Sequence, residues 1–420
     1  MRTSLSRRAL YPGVGELERR ARTLVAFAPG VLRLRAAGQS RAGRPLWLLS
    51  AGQGERQFLT VAGAHANEPV GGASALRLAR LLAHRPELLR GLDCTWHLLL
   101  CLDPDGARLA HGWQPEEPAP SLEECHRHFY RPEFACQPES LPAPGTGREP
   151  LPESATLVRL LDELRPAAQF TLHGIEFGGA FTMQTREVPG AARAFREIAA
   201  RLRIPLDDHP CDGPDWRPDP PGVLRLPPAS GGSERDPSGF VAESTWLHPR
   251  CHGTLTALVE APAWAVPGVS DSRPAPDPER AVGRACDLLL ARTRELAALL
   301  ERVPAGAVPH DLLPLHTAAG ELLRVAPSLA AGWAEEEHAG SRGHFATLGV
   351  AARRIPLRVA AMARRALART EPVTADALAD LVREWCRELD KACEPRWIPV
   401  SAQTGLHVRT MLDLAARLCT

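Results

Sequence analysis

Short apolar runs alternate with helix-like stretches over most of the chain, and this alternation limits the fold more than any other sequence feature. The runs that read as strands are residues 31–39, 44–52, 58–62, 94–102, 169–173 and 254–260. Helical spacing of apolar residues marks the stretches 13–29, 69–84, 157–164, 191–202 and 278–300. Alternating strands and helices predict the α/β class, with a mixed, largely parallel twisted sheet and helices on both of its faces.

The composition changes beyond Pro304. Residues 309–420 are rich in Ala, Leu and Arg and contain several helix-like stretches, but no motif with a recognisable chemistry. A chain of 420 residues also exceeds one ordinary hydrophobic core. We therefore predict two units: an α/β domain over residues 1–303 and a C-terminal helical domain over residues 304–420.

Charge and cysteine content argue against several classes of protein. The 50 Lys and Arg residues nearly balance the 49 Asp and Glu residues, so no strong field of one sign exists to attract nucleic acid or an anionic membrane. No apolar run is long enough to cross a bilayer, and no apolar segment of the secretory type follows the basic N-terminus. The ten cysteines form no CxxC pair. We expect a cytoplasmic protein with reduced thiols and no nucleic-acid or membrane partner.

Polar residues stand at the ends of two of the apolar runs. His65 and Glu68 follow the run 58–62, where a strand gives way to a helix, so both side chains can point into one crevice. His173 ends the run 169–173, at the carboxyl edge where α/β sheets place ligands. Catalytic zinc takes three ligands from His, Glu or Asp and leaves a position for water. The three residues form a candidate zinc site, although His65 and Glu68 alone could be unrelated surface residues.

Glu260 ends a third apolar run, Leu255–Val259. A carboxylate at the end of a hydrophobic strand costs free energy unless it is paired or used. A site of this kind can raise the pKa of a carboxyl group, as a general base requires.

The order of these motifs resembles the metallocarboxypeptidase family of carboxypeptidase A. The matching features are the HxxE pair at residues 65–68, the DPDG segment at 103–106, the segment ECHRHF at 124–129, His173 and Glu260. The opening Tyr-Pro pair and the segment GQSRAGRPLWLL are also similar to the start of that family. The resemblance covers roughly residues 11–300. It implies one zinc ion per chain, held by His65, Glu68 and His173, and it implies that Glu260 is the general base.

The resemblance also implies substrate-binding residues. The segment ECHRHF is similar to the family's D-x-N-R-N-F segment, in which the acid orients a zinc-bound histidine and the Asn-Arg pair grips a substrate carboxylate. Arg127 would take the role of that arginine, with His126 in the place of the Asn. Arg108 is the candidate for stabilising an oxyanion, unless it is only a surface charge. The loop before Glu234 is similar to a specificity-pocket loop, which would favour a basic substrate side chain; the alternative is a solvated turn.

The sequence departs from the family in two respects. His126 replaces an Asn, and its charge would vary near neutral pH; His126 and His128 could instead be additional metal ligands. The chain also has only two tyrosines, Tyr11 and Tyr130, and neither lies in the 205–250 region where the family keeps a mobile tyrosine.

The leading interpretation is a zinc carboxypeptidase-like hydrolase that cleaves a C-terminal peptide or amide bond of a peptide or small amide substrate. A deacylase of N-acyl amino acids or similar small amides is the first alternative, because that branch uses the same HxxE…H site. A non-catalytic zinc-binding protein is the second. The sequence does not indicate an oligomeric state.

Overall fold

The computed structural model describes residues 11–110, 120–142, 147–210, 217–218, 221–225, 244–335 and 340–419. Within these ranges the strands are β1 Leu32–Gln39, β2 Pro45–Gly52, β3 Arg56–Ala62, β4 Cys94–Leu99, β5 Ala168–Gly178, β6 Phe181–Gln184, β7 Arg217–Pro218, β8 Val223–Arg225, β9 Leu255–Ala265 and β10 Arg396–Trp397.

The α-helices of the described ranges are α1 Val14–Phe27, α2 Val70–His84, α3 Glu87–Gly91, α4 Pro104–Leu109, α5 Leu122–Arg127, α6 Pro152–Leu164, α7 Ala191–Leu202, α8 Pro278–Leu300, α9 Leu313–Glu335, α10 Arg342–Leu367, α11 Pro372–Cys393 and α12 Val400–Leu418. None of them is long and apolar enough to cross a membrane.

The strands form one mixed sheet in the order β1-β2-β4-β3-β5-β9-β6-β8-β7, with β10 paired to β9. Parallel pairing joins β4, β3, β5 and β9 at the centre, and β1–β2, β2–β4 and β6–β9 are antiparallel. His173 of β5 is the direct neighbour of Glu260 of β9. Residues paired in this way on adjacent strands project from the same face of a sheet.

Helices cover both faces of the sheet, which confirms the predicted α/β class. On one face, α1, α2, α7 and α12 share a core with apolar side chains of β3, β4, β5 and β9. On the other face, α6 packs Leu157, Leu160 and Leu161 against β1, β2, β3 and β4. The strand and helix predictions between residues 13 and 300 match described elements. The predicted strand ends at His173 and Glu260 are wrong, because β5 and β9 each continue five residues further, to Gly178 and Ala265.

The C-terminal helices divide into two groups. Helices α8 to α11 pack on one another and reach the ends of β5 and β9 through Phe177 and Trp264. Strand β10 and helix α12 instead return to the sheet, where Leu406, Met411 and Leu414 enter its main core. The predicted boundary between residues 303 and 304 stays a prediction, and the segment 396–418 belongs to the same core as the central strands.

The DPDG segment begins the short helix α4. The Asp103 side chain accepts a hydrogen bond from the Gly106 N–H at 2.9 Å, as a helix N-cap does, and Pro104 occupies the first helical position.

Candidate metal centre

The connection from β3 to α2 brings His65 and Glu68 together. The Glu68 N–H donates to the His65 carbonyl at 3.1 Å, which closes a tight turn between them. Gly71, the second residue of α2, packs so closely on β5 that an added Cβ would lie 2.9 Å from the Leu172 carbonyl oxygen. This close approach carries the Glu68 carboxylate to β5, where the Gly174 N–H donates to it at 3.2 Å.

The three predicted ligands converge in the folded chain. Nδ1 of His65 lies 2.9 Å from Oε1 of Glu68, and Nδ1 of His173 lies 2.9 Å from Oε2 of the same carboxylate. The two Nδ1 atoms are 3.1 Å apart. All three side chains are buried, and we call this group the buried cluster.

A second carboxylate, Glu139, lies behind the two imidazoles. Its Oε2 atom is 3.2 Å from Nε2 of His173 and 3.8 Å from Nε2 of His65. The Thr171 hydroxyl donates to the Oε1 atom of Glu139 and lies 2.9 Å from Nε2 of His173. These contacts hold the far side of each ring, which leaves the Nδ1 atoms directed at Glu68.

The charges around the cluster favour a cation. Burial by itself would lower the pKa of His173, but the carboxylates of Glu139 and Glu68 outweigh it and hold the pKa well above its usual range. Burial would raise the pKa of Glu139, yet His173 and then His65 bring it down to about 2. The pKa of Glu68 is likewise low, because the two imidazoles outweigh burial. The carboxylates of Glu68 and of the adjacent Glu139 are therefore both ionised.

The donor set fits zinc. Two imidazole nitrogens and one carboxylate are the ligands that catalytic zinc takes in proteins, with at least one position left open. Their separations of 2.9–3.1 Å are within a few tenths of the about 3.3 Å expected between ligands of a tetrahedral zinc. Glu139 supplies the carboxylate partner that zinc-bound histidines usually have on their other nitrogen.

Glu260 stands beside the cluster on the neighbouring strand. Because it pairs with His173 in the parallel β5–β9 ladder, its side chain leaves the same face of the sheet as the His173 ring. Its Cα also pairs with that of Phe181 of β6, and Glu260 itself is half-buried. The general base predicted from the sequence thus lies one strand away from a predicted ligand.

The arginine that contacts the cluster is Arg131, which the sequence analysis did not single out. Its Nη1 donates to Oε1 of Glu68 at 3.0 Å, and its Nη2 lies 3.3 Å from Nε2 of His65 and from Oε1 of Gln137. Arg127, predicted to bind substrate, is exposed on the outer side of α5 instead. Arg108, predicted to stabilise an oxyanion, is exposed on α4. Their substrate-binding and oxyanion roles stay predictions.

The exposure of Arg127 follows from the geometry of a short helix. Successive helical residues differ by about 100° around the axis. In α5 the His126 ring points inward, stacked on Phe177 at 5.9 Å between ring centroids, so Arg127 turns to the solvent. Glu124, aligned with an acid that orients a ligand, instead forms a capping box with Ser121 at the start of α5.

His126 lines a pocket next to the buried cluster. The pocket also contacts His65 and Glu68, and its walls include the aromatic rings of Phe177 and Trp264. Burial lowers the pKa of His126 from its usual value, so the ring is neutral at pH 7. His128 lies on the same pocket, but the buried group whose ligand atoms converge contains neither His126 nor His128.

The remaining predicted residues lie elsewhere. Glu234 lies outside the described residues. Tyr11 is buried, and its hydroxyl donates to Oε1 of Gln403 at 2.6 Å. Tyr130 is buried as well.

Comparisons with known proteins support the first part of the resemblance. The zinc carboxypeptidase family model matches residues 17–128, a range that contains His65 and Glu68. A search of curated proteins found no match.

Solved structures that resemble the chain include a metallo-carboxypeptidase from Burkholderia cenocepacia, at 17% identity and a TM-score of 0.39, covering 58% of this chain and 60% of that one. Carboxypeptidase A from Helicoverpa armigera matches at 14% identity and a TM-score of 0.39, covering 60% and 64%. The family match supports a zinc-dependent hydrolase. It also confirms the resemblance predicted from the motifs: the chain is similar to the zinc carboxypeptidases.

Proposed function

We propose that the protein is a zinc-dependent hydrolase that cleaves a C-terminal peptide or amide bond of a peptide or small amide substrate. The observation that carries this proposal is the convergence of both Nδ1 atoms of His65 and His173 on the two oxygens of Glu68, next to the strand that bears Glu260. The family match over residues 17–128 supports the same reaction class. A cytoplasmic location remains part of the proposal and rests on the sequence alone.

In this proposal His65, Glu68 and His173 hold one zinc ion. The ion supplies a Lewis acid that polarises a carbonyl group and acidifies water. Glu260 accepts the proton of the attacking water on a carboxylate oxygen and later delivers it to the leaving nitrogen. Glu139 and Thr171 keep the His173 ring in the orientation that directs Nδ1 toward Glu68.

Arg131 is the cation that we assign to the substrate in place of Arg127 and Arg108. It is about a quarter exposed and contacts Glu68, so its guanidinium can face both the cluster and an entering ligand. A guanidinium can hold a carboxylate or an oxyanion through two parallel N–H groups. The adjoining pocket is lined by apolar and aromatic groups and by the neutral His126, which suits an uncharged substrate side chain better than a charged one.

One observation favours the deacylase alternative. Arg127, the residue aligned with the family's grip on a C-terminal carboxylate, is exposed on the surface of α5. The carboxylate that Arg131 binds could belong to an N-acyl amino acid as well as to a peptide.

The test is hydrolysis of a mixed library of peptides and N-acyl amino acids by the zinc-loaded protein and by Glu260→Gln. We expect release of C-terminal residues by the wild type and a loss of about 10²–10⁴-fold in Glu260→Gln, with the zinc content unchanged. Release of acyl groups would move the assignment to the deacylase. Full zinc content without turnover of either class would contradict the proposal and favour the non-catalytic alternative.

A further inference from the structure

A second group of metal-ligand side chains lies outside the buried cluster. Asp162 of α6 and two histidines of the 3-10 helix His248–His252 bring their ligand atoms together. Nε2 of His248 lies 2.8 Å from Oδ1 of Asp162, and Nε2 of His252 lies 3.0 Å from the same oxygen. We call these three residues the surface cluster.

The surface cluster is separate from the buried one. Helix α6 leads into the start of β5, and the 3-10 helix leads into the start of β9. His173 lies five residues into β5, about 16 Å along the strand from its first residue. The two clusters share no residue.

The backbone around the surface cluster is well fixed. Pro249 lies within the 3-10 helix, and Gly253 ends it with a φ of 75°, a conformation that glycine adopts without strain. The Thr254 hydroxyl then donates to the Pro166 carbonyl at 2.6 Å, which ties the end of this segment to the end of α6. The two imidazoles are therefore presented to Asp162 by elements that are already joined.

We propose that the surface cluster binds a divalent transition-metal ion, with zinc as the expected occupant. Two imidazoles and one carboxylate suit zinc and its neighbours in the first transition row, and they are a poor set for calcium or magnesium. The ligand separations of 2.8 and 3.0 Å are close to the about 3.0–3.3 Å between ligands of a zinc with bonds of about 2.1 Å. The side chains are 28%, 18% and 48% exposed for His248, His252 and Asp162, which leaves room for water as the remaining ligands.

A metal in this position clamps the segment that leads to the buried cluster. Just before the 3-10 helix, the Thr245 N–H donates to the Glu139 carbonyl at 3.0 Å, and the Trp246 ring meets the His173 ring edge-on with 6.0 Å between centroids. The ion therefore acts as a structural clamp on residues 244–254, and takes no part in the chemistry.

The test is the zinc content of the full-length protein after equilibration with buffered free zinc from nanomolar to submillimolar, measured for wild type, His248→Ala/His252→Ala and Asp162→Asn. We expect the wild type to bind one equivalent more than the double variant, and Asp162→Asn to bind that equivalent at least tenfold more weakly. His310→Ala removes an exposed histidine of the described chain outside both clusters and should behave as wild type.

The readout is independent of the buried cluster, because the difference between wild type and the double variant is one zinc whether or not the buried site binds. Circular dichroism of the metal-free variants checks that they are folded. If the double variant does not fold, Asp162→Asn still tests the proposal, because this substitution preserves the shape of the side chain. Equal zinc content in wild type and both folded variants over the whole range would overturn the proposal.

Discussion

The buried cluster and the surface cluster contain the same donors, two imidazoles and one carboxylate, in very different surroundings. In the buried cluster His65, Glu68 and His173 are at most 5% exposed, and Glu139 lies behind the rings. In the surface cluster the carboxylate of Asp162 is 48% exposed and the described contacts leave it open to solvent. The donor set alone therefore does not separate a candidate reaction centre from a candidate clamp.

The difference lies in what surrounds the ligands. The buried cluster has a carboxylate on the far side of its imidazoles, an arginine at its edge, an apolar pocket beside it and Glu260 on the next strand. Such surroundings fix ligand orientation and exclude water, whereas exposed charges interact weakly. We expect the buried cluster to bind zinc more tightly, and only that cluster to support hydrolysis.

His173→Ala should have the largest effect, because it removes a ligand from the buried cluster only. We expect hydrolysis to be lost and zinc affinity at that cluster to fall by more than the about 100-fold that loss of an outer partner causes. Zinc binding at the surface cluster should be unchanged. Zinc titrations and hydrolysis assays of His173→Ala and of His248→Ala/His252→Ala check this. If the His248→Ala/His252→Ala variant lost hydrolysis while His173→Ala stayed active, the surface cluster would be the reaction centre.

A buried carboxylate with different neighbours provides a contrast to Glu139. Asp103 is an equally buried carboxylate whose main neighbours are Arg41 and Glu153, and burial raises its pKa to about 6. A raised pKa in the folded state stabilises the protein below the unfolded value of 3.8, and this stabilisation is lost as the pH rises through 6.

Asp103→Asn should therefore remove this pH dependence while its side-chain oxygen still caps α4. Its free energy of unfolding should gain up to about 3 kcal/mol relative to wild type between pH 3.5 and pH 7. Urea denaturation across that range measures the difference. A difference that stays constant with pH would show that Asp103 has an ordinary pKa.

Glu139→Gln should weaken zinc binding at the buried cluster by about 10–100-fold, since the amide can no longer balance the charge on the His173 and His65 rings. Glu153→Gln is the matched control, because Glu153 is fully buried but bonds Arg41 instead of a ligand. Zinc affinity by competition with a chromophoric chelator distinguishes the two. Equal losses in both variants would mean that any buried carboxylate has this effect.

Arg131→Lys should have the smallest effect. A lysine keeps the charge but not the paired N–H groups, so we expect KM to rise about tenfold with a smaller change in kcat. Arg127→Lys on the exposed side of α5 is the control and should leave both constants unchanged. The opposite pattern would restore the substrate-binding role to Arg127.

The strand periodicity made most of the sheet and the residues at the ends of its apolar runs predictable. His65 follows the end of β3, and β3 ends level with Leu172. His173 and Glu260 end apolar runs of the sequence but lie in the middle of β5 and β9, which continue to Gly178 and Ala265. Arg131 and Glu139 were not predictable in this way. They lie in the aperiodic segment 128–142, whose path depends on contacts with Thr171, Thr245 and the ligands themselves.

Helix packing shows the same limit. The composition of residues 309–420 predicts several helices, but it does not indicate which surface each helix covers. In the structure, α12 packs on the sheet beside α2 and α7, and Ser74 of α2 lies 2.9 Å from Nδ1 of His407. The signal that could have indicated this packing is the pair of polar residues Ser74 and His407, which bond each other in the core. Neither residue shows the pairing by itself, because the two are distant in the sequence.

The most direct test of the central claim is zinc-edge X-ray absorption, with one equivalent of zinc, of two proteins in which His248→Ala/His252→Ala removes the surface cluster: one otherwise wild type, and one that also carries His173→Ala. The account predicts a first coordination sphere of two imidazole nitrogens and carboxylate oxygen at about 2.0–2.2 Å in the first protein, with one imidazole fewer or no bound zinc at the buried cluster in the second. A sulfur-containing sphere, or a spectrum that His173→Ala leaves unchanged, would contradict it.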